Sequence, residues 1–171
     1  MKKYFVIGNP IEHSLSPIIH NYWFKKQNIN ASYDKRKINE DEIKNIIFDI
    51  KNNKIHGINV TVPFKKAVIP FLDKLSSDAQ YTQSVNTIYA DNGKTIGHNT
   101  DIAGFELSIK NSKYDISKKT ILILGSGGVV PSIIFSLNKM NVSKIIVSNR
   151  TKKKAENLKN LFKNIVVVDW G

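Results

Sequence analysis

The sequence predicts an α/β protein in two parts: an N-terminal mixed-sheet α/β region, then a βαβαβ unit, the first half of a doubly wound parallel sheet. Three observations predict it. Short apolar runs of strand length alternate with amphipathic runs of helix length. Asp91-Asn92-Gly93 sits between two strand-like runs and is a strong hairpin signal, so the first part includes antiparallel pairing. Residues 120–124 form a continuous apolar strand that runs straight into Gly125-Ser126-Gly127-Gly128, which is strand, tight turn and helix in succession.

In chain order, residues 4–7 read as a short strand ended by Gly8-Asn9-Pro10. Residues 17–27 read as a helix with Ile18 and Tyr22 on one side, and residues 32–38 as a second strand. Residues 40–51 carry Ile43, Ile46, Ile47 and Ile50 at helical spacing. Residues 57–62 read as a third strand, with Asn59 and Thr61 on one face and Ile58, Val60 and Val62 on the other. Residues 65–72 and 76–83 read as short helices. Residues 86–90 and 94–98 are the hairpin strands, and residues 101–112 a helix. In the second part, 120–124, 144–148 and 165–168 are strands, with helices over 128–139 and 152–162. The apolar 120–124 run predicts a strand covered on both faces. This βαβαβ order is one mononucleotide-binding half of a Rossmann fold.

Composition narrows the function. The net charge is +12, from 26 Lys and Arg against 14 Asp and Glu. Only Arg36 and Arg150 are arginines, and the lysines are spread along the chain. A nucleic-acid face usually employs arginine, so no nucleic-acid partner is expected. The charge suits small anionic ligands. There are no cysteines, which removes disulfides, thiolate metal sites and a cysteine nucleophile. His13, His20, His56 and His98 have no ligand spacing, so no metal is expected. The apolar run at residues 4–7 is too short for a signal-peptide core. No stretch approaches a membrane span, and a cytoplasmic protein is expected.

Polar groups recur at ordered places. Ser14-Leu15-Ser16-Pro17 offers two hydroxyls that, in extended chain, point the same way and suit one carboxylate. Ser16 as helix cap with Pro17 as first helical residue explains Ser16 structurally, but not Ser14. Asn59-Val60-Thr61-Val62-Pro63-Phe64-Lys65 ends a strand, and the carboxyl end of a strand is where α/β sites sit. Asn86 heads a strand and Asp101 heads a helix, where a cap is the plain alternative. The glycines at 125, 127 and 128 let backbone N–H groups and a helix N-terminus approach a pyrophosphate. Asn149-Arg150-Thr151 closes the second strand of this unit, where the adenine ribose lies in such folds. No acid stands there to hold ribose hydroxyls. Arg150 suits a 2′-phosphate, with Lys152, Lys153 and Lys154 adding positive potential, so NADP is favoured over NAD.

Ser-Leu-Ser-Pro, Asn-Val-Thr-Val-Pro-Phe-Lys, Val-Asn-Thr and Asn-Thr-Asp, followed by a glycine turn and Asn-Arg-Thr, together resemble the shikimate dehydrogenase family over essentially the whole chain. The resemblance implies a substrate-binding catalytic domain at 1–101, a linker helix and connection at 102–118, and a partial Rossmann NADP-binding domain at 119–171. It implies an active site in the cleft between domains. It also implies reversible NADP-linked reduction of 3-dehydroshikimate to shikimate, in aromatic amino-acid biosynthesis. By motif, Ser14 and Ser16 would hold the substrate carboxylate. Thr61, Lys65, Asn86 and Asp101 would hold its hydroxyls, with Asn59 nearby. Lys65 and Asp101 would be the catalytic pair. Gly125, Ser126, Gly127, Gly128 and Val129 would cradle the pyrophosphate. Asn149, Arg150, Thr151 and Lys154 would take the adenosine phosphate end.

The chain departs from the family at Gln83-Ser84, where Gly-Ala is usual, and at Ser126 and Val129, where alanine is common. The resemblance implies a further C-terminal part, beyond these 171 residues, that would finish the nicotinamide side. That leaves open a fragment that binds shikimate and NADP without turnover. A quinate/shikimate dehydrogenase using NAD is a further alternative, against which Arg150 argues. Lysine is mostly protonated at pH 7, so Lys65 can be read as a base or as a charge stabilising the developing alkoxide, oriented by Asp101. A monomer or a homodimer is expected.

Overall fold

The computed structural model describes residues 1–171. The chain divides into two compact units, Met1–Asn99 and Thr100–Gly171.

The first unit is built on a six-stranded mixed sheet. Its strands are β1 (Lys2–Gly8), β2 (Ala31–Lys37), β3 (Gly57–Val60), β4 (Lys74–Leu75), β5 (Thr87–Asp91) and β6 (Lys94–His98). The spatial order is β2-β1-β3-β5-β6-β4. β1 pairs parallel with β2 and β3, whereas β3/β5 and β5/β6 are antiparallel. Tyr4, Tyr33, Gly57, Val6, Asn59 and Thr87 are linked by register and share one face. Phe5, Ile7, Ile58, Val60 and Ile88 belong to the opposite face.

That opposite face carries the core. Helix α2 (Ile43–Lys51) lays Ile43, Ile46, Ile47 and Ile50 on it, all buried. Each such side chain contributes about 1.5–3 kcal/mol. The helix is entered through a 3-10 turn at Glu40–Glu42, where the Asn39 N–H donates to the Glu42 carboxylate at 2.7 Å. The expected hairpin is present, with Asn92 at φ 48° and Gly93 at φ 72°.

Helix α1 (Ser16–Lys26) buries no residue fully. Ile18 and Tyr22 do share a side, but that side faces solvent. Ser16, Pro17, His20 and Phe24 are the partly covered residues. The 57–62 run ends as a strand at Val60. A turn closed by Phe64 N–H donating to the Thr61 carbonyl swings Val62 outward, to 57% exposure. No regular helix forms over 65–72. The Lys65 carbonyl accepts from Val85 N–H at 2.8 Å, which diverts it from a helical ladder. Only a 3-10 turn follows, at Ile69–Phe71. Helix α3 (Ser77–Thr82) is capped by Ser76, whose Oγ accepts from Ala79 N–H.

The second unit holds three parallel strands, β7 (Thr120–Leu124), β8 (Lys144–Ser148) and β9 (Ile165–Val168), in the order β7-β8-β9. Helices α4 (Asp101–Asn111), α5 (Val130–Lys139) and α6 (Lys152–Glu156) complete it, and α6 continues as a 3-10 turn at Asn157–Asn160. α4 packs against α5. Ile134, Leu137, Ile145, Val147, Ala155 and Phe162 form the core. The sequence predicts cover on both faces of β7. One face is covered, but Leu122 and Leu124 are 57% and 67% exposed. Right-handed crossovers in one winding direction put both connecting helices on the same face of the sheet, so the other face stays open.

Candidate substrate and nucleotide sites

Of the residues read from the sequence as substrate-binding, Ser14, Ser16, Asn59, Thr61, Lys65 and Asn86 lie on the first unit. A cavity of about 320 Å³ lies where β1 and β3 end, lined by Val6, Pro10, Ile11, His13, Ser14, Ser16 and Thr61. The loop that follows β1 delivers the serines, and the Ser16 N–H donates to Ser14 Oγ at 3.3 Å. Thr61 is placed by its own N–H, which donates to the Ile7 carbonyl at 2.9 Å. Two hydroxyls and a threonine around a small partly apolar hollow suit a small acid with hydroxyl groups.

Asn59 is held by the protein itself. Its Oδ1 accepts from the Tyr33 hydroxyl at 2.6 Å. Its Nδ2 donates to the Asn86 carbonyl at 3.2 Å and to Thr87 Oγ1 at 3.1 Å. Thr87 in turn donates to Asn86 Oδ1 at 3.1 Å. The motif residues Asn59 and Asn86 are therefore one hydrogen-bonded group. Tyr33 is buried, and burial pushes its phenol above the ordinary tyrosine value. Sequence reasoning missed Tyr33 and Thr87. The sequence shows Tyr33 only as a member of the strand read at 32–38.

Lys65 and Lys66 have different environments. Lys65 is partly covered, beside the buried Phe64 anchor, while Lys66 is exposed. Asn99 is buried and spends its Nδ2 on Thr82 Oγ1 and the Ser84 carbonyl, so its role is to tie the end of β6 to the 82–84 turn. His98 leaves Nδ1 buried without a partner. No group of acids and histidines is arranged to hold a metal ion. No helix is long and apolar enough to cross a membrane.

The second unit carries Asp101 and the nucleotide motifs. Asp101 opens α4, with Thr100 in the cap position. Gly125 leaves β7 at φ 113° while its N–H donates to the Ser148 carbonyl at 2.7 Å. Side chains rarely adopt that backbone, so glycine is required there. A side chain built on Gly127 would meet nothing within 4 Å, so the turn presents open backbone ahead of α5. Ser126, Gly128 and Val129 complete this turn. At the end of β8, Asn149 Nδ2 donates to the Thr151 carbonyl at 2.8 Å, and Arg150, Thr151, Lys153 and Lys154 are exposed. Lys152 pairs with Asp169 at 2.7 Å, which raises the Lys152 ammonium above its usual range. Ser148 Oγ donates to the Asp169 carbonyl at 2.9 Å. Asp169 has no sequence signal, because it enters from β9 and not from a motif. An open glycine turn with exposed cations at the next strand end fits the phosphates of a dinucleotide.

Known proteins share this arrangement. Residues 6–88 match the family described as shikimate dehydrogenase substrate binding domain. Residues 106–169 match the family described as shikimate / quinate 5-dehydrogenase. The shikimate dehydrogenase (NADP(+)) of Pelagibacter ubique is 56% identical over 172 residues, which cover 100% of this chain and 65% of that protein. The crystal structure of shikimate dehydrogenase from Aquifex aeolicus superposes with a TM-score of 0.91 at 41% identity, over 98% of this chain and 62% of that one. Shikimate 5-dehydrogenase from Thermus thermophilus, in complex with NADP(H) and shikimate, gives 0.87 at 29% identity, over 98% and 63%. This chain thus spans just under two thirds of the length of these relatives. Both units match, in order and in fold, and the chain belongs to the shikimate dehydrogenase family.

Proposed function

We propose that the protein acts as a cytoplasmic shikimate dehydrogenase, catalysing the reversible NADP-linked reduction of 3-dehydroshikimate to shikimate. One observation carries the reading: the 320 Å³ hollow ringed by Ser14, Ser16 and Thr61, with Lys65 on the turn that leaves the same strand. Ser14 and Ser16 take the substrate carboxylate. Thr61, Lys65, Asn86 and Asp101 take its hydroxyls, and Asn59 holds the Asn86 segment in place.

Bound NADP supplies the hydride acceptor or donor. The protein's task is to manage charge and a proton at the substrate oxygen. In reduction, the carbonyl oxygen gains negative charge as its carbon becomes tetrahedral. The Lys65 ammonium meets that charge and delivers a proton, and Asp101 orients the ammonium and the hydroxyl. In oxidation the same proton returns. Gly125, Ser126, Gly127, Gly128 and Val129 receive the pyrophosphate. Asn149, Arg150, Thr151 and Lys154 receive the adenosine end, with Arg150 on the 2′-phosphate. Arg150 favours NADP over NAD. We place the working form as a monomer or a homodimer, with no nucleic-acid or membrane partner.

The test is a titration of the 171-residue chain with shikimate and with NADP separately, beside an assay of cofactor reduction. Binding of both is expected. Binding of neither overturns the site map. Binding without turnover assigns the chain a ligand-binding role.

A further inference from the structure

Thr87 ends the Val85-Asn86-Thr87 motif, yet the proposed chemistry gives it no part. It opens β5 directly opposite Asn59 of β3 and is half-buried. Its Oγ1 lies 3.1 Å from Asn59 Nδ2 and 3.1 Å from Asn86 Oδ1. Two carboxamides that stand 27 residues apart in the chain therefore meet on one hydroxyl.

Hydrogen counting gives these bonds a direction. A carboxamide carries two hydrogens on nitrogen and none on oxygen, and a hydroxyl carries one. Asn59 Nδ2 directs its hydrogens to the Asn86 carbonyl at 3.2 Å and to Thr87 Oγ1. Turned over, Asn59 would set Oδ1 against that carbonyl, and two acceptors repel. The Tyr33 hydroxyl, which donates to Asn59 Oδ1 at 2.6 Å, holds the same orientation. Thr87 thus receives a hydrogen from Asn59 and has its own left for Asn86 Oδ1. With Oδ1 so engaged, the Asn86 nitrogen and its hydrogens lie on the side away from Thr87.

Backbone bonds fix where Asn86 stands. Its carbonyl accepts from the Val60 N–H at 2.8 Å, and its N–H donates to the His98 carbonyl at 3.0 Å. The preceding Val85 N–H holds the Lys65 carbonyl at 2.8 Å. Residue 86 is thereby set beside the end of β3 and the turn that carries Lys65. None of these bonds sets the plane of the carboxamide, whose last torsion is broad and roughly two-fold. The Thr87 hydroxyl selects one of its two faces.

We propose that Thr87 is a positioning residue: its hydroxyl takes a hydrogen from Asn59 and gives one to Asn86, which fixes the Asn86 carboxamide as a donor toward a ligand oxygen. The identity of the ligand rests on the shikimate dehydrogenase reading, whereas the orientation is a property of these three side chains.

Thr87→Val tests this, since it keeps the β-branched shape and removes the hydroxyl. The Kd of shikimate for the 171-residue chain should rise about fivefold, the worth of one ordinary hydrogen bond. The Kd of NADP should stay within about twofold. Thr87→Ser returns the hydroxyl and should bring shikimate affinity back to within about twofold of the unmodified chain. In an Asn86→Ala background, Thr87→Val should add less than about twofold, because it acts through that amide. No restoration by serine, or the full loss added in the double variant, marks a packing role and overturns the proposal. If the unmodified chain fails to bind shikimate, the functional reading falls, and a ligand-free measurement decides the orientation. The NMR order parameter of the Asn86 side-chain nitrogen should be near ~0.85 in the unmodified chain and fall in Thr87→Val but not in Thr87→Ser. A value below ~0.6 in the unmodified chain, or one that Thr87→Val leaves unchanged, overturns the positioning role whatever the ligand is.

Discussion

A methyl group on Gly8 would lie 2.6 Å from Cγ2 of Thr61, and 3.0 Å from the Val62 carbonyl. Carbon atoms do not pack that closely, so the end of β1 can lie against the turn after β3 only because residue 8 has no side chain. Gly8→Ala is expected to push Thr61 away from the cavity. Overpacking of this kind costs about 1–3 kcal/mol. Thermal unfolding and a shikimate titration check it: the midpoint should fall and the affinity with it. An unchanged affinity would remove Thr61 from the binding group.

Lys65 and Lys66 are neighbours in sequence but not in environment. Lys65→Ala is expected to weaken shikimate binding without abolishing it, and to lower turnover by about 10²–10³, as loss of one preorganised charge does. Lys66→Ala should stay within about twofold, because its ammonium lies in solvent. Shikimate-dependent NADP reduction measures both. Near-normal turnover in Lys65→Ala would sink its catalytic assignment.

The cations beyond β8 should not contribute equally. Arg150→Ala is expected to weaken NADP about tenfold and leave NAD nearly unchanged, since only NADP carries the 2′-phosphate. Lys152→Ala should matter less, because Asp169 already engages that ammonium. Asp169→Asn should tighten NADP by freeing it. Fluorescence titrations with both cofactors give the comparison, and equal losses for NADP and NAD in Arg150→Ala would contradict the phosphate role.

Asp73 governs a pH effect away from both sites. Its carboxylate accepts from the Thr95 N–H at 2.8 Å, from Lys51 at 3.0 Å and from Thr95 Oγ1 at 2.9 Å. These bonds, the Thr95 N–H first, lower its pKa to about 2. The unfolded value is near ~3.9. A folded pKa below the unfolded one gives stability that is present above pH ~4 and lost as pH falls through about 2. Thermal midpoints measured from pH 5 to pH 2 should therefore fall less steeply in Asp73→Asn than in the unmodified chain.

Much of the second unit is legible in the sequence. The runs at 120–124, 144–148 and 165–168 coincide with β7, β8 and β9, because apolar strands bounded by Gly, Asn and Lys allow little else. The hairpin at Asn92-Gly93 is equally plain, since its positive φ values demand those residues. The spacing over 65–72 suggests a helix that does not form, because the Lys65 carbonyl is claimed by Val85, a partner that helical spacing cannot reveal. Ile18 and Tyr22 do lie on one side of α1, but periodicity finds a stripe without saying what it faces.

The polar motifs, from Ser14 to Arg150, stand in the sequence with the chemistry their side chains permit, and so does the order of α and β elements. Local pattern determines these, through turn geometry, caps and spacing. The tertiary structure decided which motif residues engage each other. Asn59 and Tyr33 are 26 residues apart in the chain and 2.6 Å apart at their polar atoms, and Lys152 meets Asp169 only because β9 returns beside β8. Hydrogen bonds and ion pairs of this kind depend on strand register, which is set by burial of the whole sheet and not by any one segment.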